Sequence, residues 1–280
     1  MLSPLPTQNL WLALMIGNSR LHWALFEDVT LHRAWNTEHL PVGSIPPWLP
    51  PTEVGTEAIP PWSFQGLMGV GTGALPLQKD ALGNLQYPEI LIASVVPEQA
   101  QLWQTYPAAR FLTLDQIPLY QTYTTFGVDR ALALWGAGET WGWPALVIDA
   151  GTALTLTGAD ADRQLVGGAI LPGLGLQLQS LGQKTAALPS LLPPDQLPSR
   201  WATTTPDAIA SGIIYTLIAG IQDFITDWWQ QFPGSAIALT GGDASVLLTY
   251  LQDQAPDIAA HIRRSPHLIF QGMQFCRGRG

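Results

Sequence analysis

Two stretches of this chain follow one plan, and they constrain its fold more than any other feature. LALMIGNSRLHWALF (12–26) and LVIDAGTALTLTGAD (146–160) each run an apolar strand into a small glycine-bearing turn and back into a second strand. They lie about half a chain apart in a sequence of 280 residues. A duplicated β-unit with helices between the copies gives two similar lobes with a cleft between them. The length is enough for two modest units, each with its own core.

The elements between the repeats fit an α/β chain. Strands are expected at 10–16, 21–26 and from Val29 to Thr37, with a turn at Glu27-Asp28. EILIASVVP (89–97) reads as a buried strand stopped by Pro97, EQAQLWQTY as a short helix and ARFLTL as another strand. GVDRALALWGAGETWG opens a helix, and QLVGGAILPGLGLQLQ runs strand, break at Pro172-Gly173, then helix. The stretch from Thr205 to Trp229 is a long apolar helix, with Thr205 as candidate N-cap and Pro206 in the first turn. AIALTGGDASVLLTYLQ is strand, tight turn and helix. Residues 41–63, 189–204 and GVGTGA (69–74) read as loop; the last lacks the third glycine of a dinucleotide fingerprint.

Composition excludes several classes. Charged residues make up 12% of the chain, the net charge is −9 and the pI is about 4.8. A general nucleic-acid binder needs a basic face, which this sequence does not provide. An anion would have to be held by backbone N–H groups, a metal ion or a few local cations. The one cysteine, Cys276, rules out a disulfide within one chain and fits a reducing compartment. No basic region precedes the first apolar run, and the sequence reads as soluble, cytoplasmic and without a membrane partner. The histidines show no metal-binding spacing, and the 12 tryptophans suit core and interface.

Three turns carry the candidate chemistry. In DAGTALT, Asp149 ends a strand, Gly151 lets a ligand approach the backbone and Thr152 adds a hydroxyl, as a phosphate-and-cation hairpin requires. The bland alternative is a tight hairpin in which Asp149 satisfies turn amides. In GVDR, Asp129 is either a helix cap or a general base beside an Arg130 anion clamp. In TGGDA, the glycines permit close approach to a ligand, or Asp243 simply caps the next helix.

In combination these motifs are specific. IGNSR, ASVVP, YxxxxxxGVDR, DAGTALT, GGAILPGL, TxxAIxSG and TGGDA occur in that order across roughly residues 11–250. The set closely resembles the type III pantothenate kinases, of the acetate and sugar kinase/Hsp70/actin-like superfamily, a family with relatives first described as transcriptional accessory factors. The resemblance implies two ribonuclease-H-like (actin-like ATPase) lobes, each a mixed central sheet flanked by helices, here set at 1–128 and 129–280. It implies a homodimer that transfers the γ-phosphoryl of ATP to the terminal hydroxyl of pantothenate, the first step toward coenzyme A. Asp129 then matches the proton acceptor. Tyr120, Gly127, Val128, Arg130 and Thr205 match pantothenate contacts. Met15, Ile16, Gly17, Asn18, Ser19, Arg20, Leu21 and His22 span the first ATP hairpin, and Thr152 matches a further ATP contact. Asp149 matches the ligand of a monovalent cation, K⁺ or NH₄⁺, with Mg²⁺ arriving on ATP.

The chain departs from the family at the first hairpin. Met15 stands where an aspartate is usual, Ser19 where a threonine is, and His22 where a lysine is. Tyr123 replaces a proline before GVDR. Losing the Asp and Lys weakens metal and phosphate contacts, which Arg20 and Asn18 can offset. These losses leave a second reading, a non-catalytic relative that binds pantothenate or nucleotide and acts through a protein partner. The retained Asp129 favours the enzyme.

Overall fold

The computed structural model describes residues 10–40, 78–79, 85–86 and 88–278. The expected loops at 41–63 and 69–74 lie outside the described residues. The chain divides into two compact units, residues 1–116 with 276–280, and residues 117–275. Residues 117–128, grouped with the first lobe on sequence, therefore fall with the second unit. The reason is local: the backbone of Tyr120 exchanges hydrogen bonds with the 160–165 turn, to Arg163 O and from Leu165 N, both at 2.9 Å.

In the first unit, β1 (Leu10–Ile16), β2 (Leu21–Glu27) and β3 (Thr30–Thr37) form an antiparallel meander. β4 (Glu89–Ser94) and β5 (Ala109–Phe111) add in parallel, giving the order β3-β2-β1-β4-β5. Helix α1 (Pro97–Gln101) starts where Pro97 ends the strand run. β1 is buried along nearly its whole length because both neighbours and both faces cover it. One core holds Leu12, Leu14, Ile16, Leu21, Trp23 and Trp103, each fully buried. Each large aliphatic side chain so buried contributes about 1.5–3 kcal/mol.

The second unit repeats this plan strand for strand. After α2 (Val128–Trp141) come β6 (Ala145–Ala150), β7 (Ala153–Ala159) and β8 (Leu165–Pro172) as the meander. β9 (Ala236–Thr240) and β10 (Ile262–Arg264) add in parallel, in the order β8-β7-β6-β9-β10. The duplication expected from the two hairpins thus extends to five strands per sheet. Helices α3 (Leu174–Lys184), α4 (Thr205–Gln231), α5 (Ala244–Gln254), α6 (Pro256–Ala259) and α7 (Leu268–Arg277) complete the chain.

Among the described residues, α4 alone is long and apolar enough to cross a membrane. Its Ile214, Leu217, Ile218, Ile221 and Ile225 are instead buried in the core of the second unit. Its cap is Thr204, one residue before the Thr205 expected. Thr204 Oγ1 accepts from Asp207 N and donates to the Asp207 carboxylate, so the threonine and aspartate complete each other. Helices α2 and α7 meet at two glycines: a Cβ on Gly272 would lie 2.1 Å from Leu132 O, and one on Gly136 would lie 2.4 Å from Leu268 O.

Candidate functional site

The GVDR segment forms the first turn of α2. Gly127 is the N-cap residue in an extended conformation, and no side chain caps the helix. Asp129 is therefore not the cap. It lies inside the first turn, where its Oδ1 accepts from the Arg130 backbone N–H at 2.8 Å. A Cβ on Gly127 would come within 2.4 Å of that same Oδ1, so glycine leaves the carboxylate room at the helix entrance. A carboxylate there is also favoured by the helix dipole.

Arg130 is buried, with 8% of its surface exposed. Its Nε–H donates to Thr157 Oγ1 at 2.9 Å and its Nη1–H to the Tyr123 hydroxyl at 2.8 Å. The guanidinium also lies 5.0 Å from the Phe126 ring centroid. Among the described residues it makes no ion pair. A buried cation held only by neutral partners is a receptor for an anion, because uncompensated charge is costly to bury. Gly168, in the GGAI motif of β8, makes this possible. A Cβ there would lie 2.7 Å from Arg130 Nη2 and 2.0 Å from Leu156 O.

Asp149 is the penultimate residue of β6, opposite Thr155 of β7 and Thr240 of β9. Among the described residues no backbone N–H of this turn is seen donating to its carboxylate; Gly151 N donates to Ala153 O instead. Burial pushes its pKa up from 3.8 to about 7, and the nearby charge of Asp129 pushes in the same direction. Two other turns close around this strand end. Gly241, at a φ of 96°, passes 2.6 Å (measured from its ideal Cβ) from Asp149 Oδ1, and Asp243 N donates to Ala150 O at 2.9 Å. Gly173 N donates to Thr152 O at 2.8 Å, joining the start of α3 to the DAGT turn. Asp243 makes no side-chain cap bond to α5. Burial raises its pKa, with the Gly175 backbone N–H partly opposing that.

Thr152 is exposed at this turn, and Thr205 is exposed in the first turn of α4. Tyr120 is 56% exposed and bridged to Gln164. Val128, the first residue of α2, is buried.

In the first unit, the GNSR turn closes through Gly17 N donating to Arg20 O at 3.0 Å. Met15, Ile16 and Leu21 are buried, which leaves Asn18, Ser19, Arg20 and the half-buried His22 to present side chains. Met15, His22 and Asn36 stand in one row across the sheet, and His22 Nδ1 lies 2.8 Å from Asn36 Oδ1. The aspartate and lysine usual in the family are thus replaced, side by side, by a buried thioether and an imidazole.

Comparison with known proteins places the chain in a family. The family model described as type III pantothenate kinase matches residues 75–227. A type III pantothenate kinase of Nostoc sp. is 50% identical over 95% of this chain and 94% of its own length. This chain belongs to the type III pantothenate kinase family. A second relative of that name, from Synechocystis sp., is 42% identical over 95% of this chain and 90% of its own. A crystal structure named for a conserved Baf-family transcriptional activator of Campylobacter jejuni superposes with a TM-score of 0.59 at 18% identity, covering 96% of this chain and 98% of that one. That likeness is one of fold. Among the described residues no group of three or more His, Cys, Asp or Glu side chains could hold a metal ion.

Proposed function

We propose that this protein transfers the γ-phosphoryl group of ATP to the terminal hydroxyl of pantothenate, giving 4′-phosphopantothenate. The observation that carries the reading is Arg130: a buried guanidinium whose partners among the described residues are neutral, next in sequence to a carboxylate at a helix entrance. Pantothenate offers an anionic carboxylate for the first and a hydroxyl for the second.

The pantothenate hydroxyl loses its proton to the Asp129 carboxylate as its oxygen bonds to the γ-phosphorus, and the bond from that phosphorus to ADP breaks. Gly127 and Val128 shape the pocket floor, Arg130 receives the substrate carboxylate, and Tyr120 and Thr205 complete its contacts. ATP takes the 15–22 hairpin, through backbone groups at the buried positions and side chains from Asn18 to Arg20 and His22, with Thr152 as a further contact. Mg²⁺ bound to ATP supplies charge neutralisation at the phosphates.

Asp149 holds K⁺ or NH₄⁺. A half-buried carboxylate whose pKa desolvation raises to about 7 is half-protonated near neutral pH, and a monovalent cation beside it favours the ionised form. The working form is a homodimer in the cytoplasm, with no nucleic-acid or membrane partner. Met15 and His22 prompted the binding-only alternative; relatives at 50% and 42% identity carry the kinase name, and that alternative is not retained.

The test is phosphorylation of pantothenate by the purified protein with ATP and Mg²⁺, with and without K⁺ or NH₄⁺, beside Asp129→Asn. Product from the wild type alone, increased by the monovalent ion, is expected. No product at millimolar ATP from folded protein overturns the kinase reading.

A further inference from the structure

The first turn is gripped by residues that the family motif does not contain. After β3 the chain returns through Glu38 and His39 to Leu40, which is buried in the core beside the hairpin strands. Gln99 of α1, only 5% exposed, clasps the Leu40 backbone at both ends. Its Oε1 accepts from Leu40 N at 3.0 Å, and its Nε2–H donates to Leu40 O at 2.9 Å. The residue just before Leu40 reaches the turn: His39 Nε2 lies 2.7 Å from Gly17 O. A carbonyl only accepts, so His39 carries its proton on Nε2. On the other side His22 Nε2 lies 3.2 Å from where a Gly17 Cβ would stand.

We propose that Gln99, Leu40 and His39 form a brace that fixes the Gly17 carbonyl, and through it the turn, in the conformation that receives the ATP phosphates. The inference rests on the reading that this turn binds ATP. It gives the buried amide of Gln99 a purpose that core packing does not require, since an apolar side chain of similar size would fill the space. The order of connection is Gln99 to the Leu40 backbone, Leu40 to its neighbour His39, and His39 to Gly17. A turn with one peptide group tied inward, Gly17 N to Arg20 O, and the other tied to His39 has little freedom left. His39 is a positioning residue, because its Nε2 proton is committed to the carbonyl rather than to a ligand.

The test compares His39→Ala, His39→Gln and Gln99→Leu with the wild type in two measurements. In steady-state kinetics His39→Ala should raise KM for ATP about tenfold with KM for pantothenate unchanged, and His39→Gln, which keeps an N–H donor, should recover most of that loss. In hydrogen exchange the Gly17 amide, which donates to Arg20 O across the turn, should exchange at least about tenfold faster in His39→Ala and Gln99→Leu. Exchange unchanged in a folded His39→Ala protein overturns the brace, as does an unchanged KM for ATP. If the wild type makes no phosphopantothenate, the kinase reading fails, yet the exchange result still decides the brace. His39 is only half-buried, so its variants keep the test open if Gln99→Leu does not fold.

Discussion

The Nε–H of Arg130 donates to Thr157 Oγ1 at 2.9 Å, joining helix α2 to the middle of strand β7. With the Tyr123 hydroxyl on Nη1, this bond aims a buried charge without neutralising it. Arg130→Lys keeps the charge but loses the fork that reaches both oxygens. We expect kcat/KM for pantothenate to fall by about 10- to 100-fold, mostly through KM, while KM for ATP stays near wild type. Tyr123→Phe removes one of the two bonds and should cost less, about 3- to 10-fold. Steady-state kinetics with each substrate varied checks both. Equal losses in both KM values would show that Arg130 supports the fold rather than pantothenate.

Gly168 gives a test of how that charge is housed. Alanine there would place its Cβ 2.0 Å from Leu156 O, and backbone in a sheet cannot yield by more than a few tenths of an ångström. Gly168→Ala should destabilise the protein by about 1–3 kcal/mol and displace Arg130, so the thermal midpoint and pantothenate affinity fall together. Gly220→Ala is the control. It lies in α4, its Cβ would meet open space, and alanine there should stabilise by about 0.5–1 kcal/mol. Thermal unfolding of both variants, with pantothenate titrations, decides the point.

Asp129 carries the proton transfer in the proposed reaction, and its charge also bears on Asp149. Asp129→Asn should lower kcat by about 10²- to 10⁴-fold. The same change removes a like charge near Asp149 and should raise the unfolding midpoint at pH 8. An inactive variant that is slightly more stable separates loss of chemistry from loss of structure. Full activity in Asp129→Asn would rule the residue out as the base.

The two hairpins were legible in the sequence because alternating apolar strands around a glycine turn have few other ways to fold. The strands flanking Asp149 were legible to within a residue or two, whereas the five-strand order of each sheet was not, because it rests on parallel pairings between strands far apart in sequence. The partners of Arg130 were not legible. Thr157 lies 27 residues away in sequence, and nothing local marks it or Gly168 as a neighbour of GVDR. Only sheet register and a helix laid over it bring them together. Thr204 was missed by one residue because Thr204 and Thr205 are equally good caps in isolation; the choice is made by Asp207, whose spacing suits the first. The His39–Gly17 contact carried no signal either. A histidine at a strand exit looks like surface until the Leu40 anchor and the Gln99 clasp are seen.

The raised pKa of Asp149 makes stability depend on pH in a definite direction. The folded protein binds this proton up to about pH 7, whereas the unfolded chain releases it near 3.8. Between those values the native state holds more protons than the unfolded state, so stability falls as pH rises. The shift sets an upper limit of about 4 kcal/mol on the loss, and partial access to water makes it smaller. A monovalent cation bound beside Asp149 competes with the proton and reverses part of the loss at pH 8. Unfolding midpoints measured from pH 5 to 8 in a buffer of bulky organic cations should therefore fall more steeply for the wild type than for Asp149→Asn. Adding K⁺ should flatten the wild-type curve and leave the variant's unchanged. Parallel curves for the two proteins, or an equal K⁺ effect on both, would place the cation elsewhere and leave Asp149 as a buried acid without a ligand.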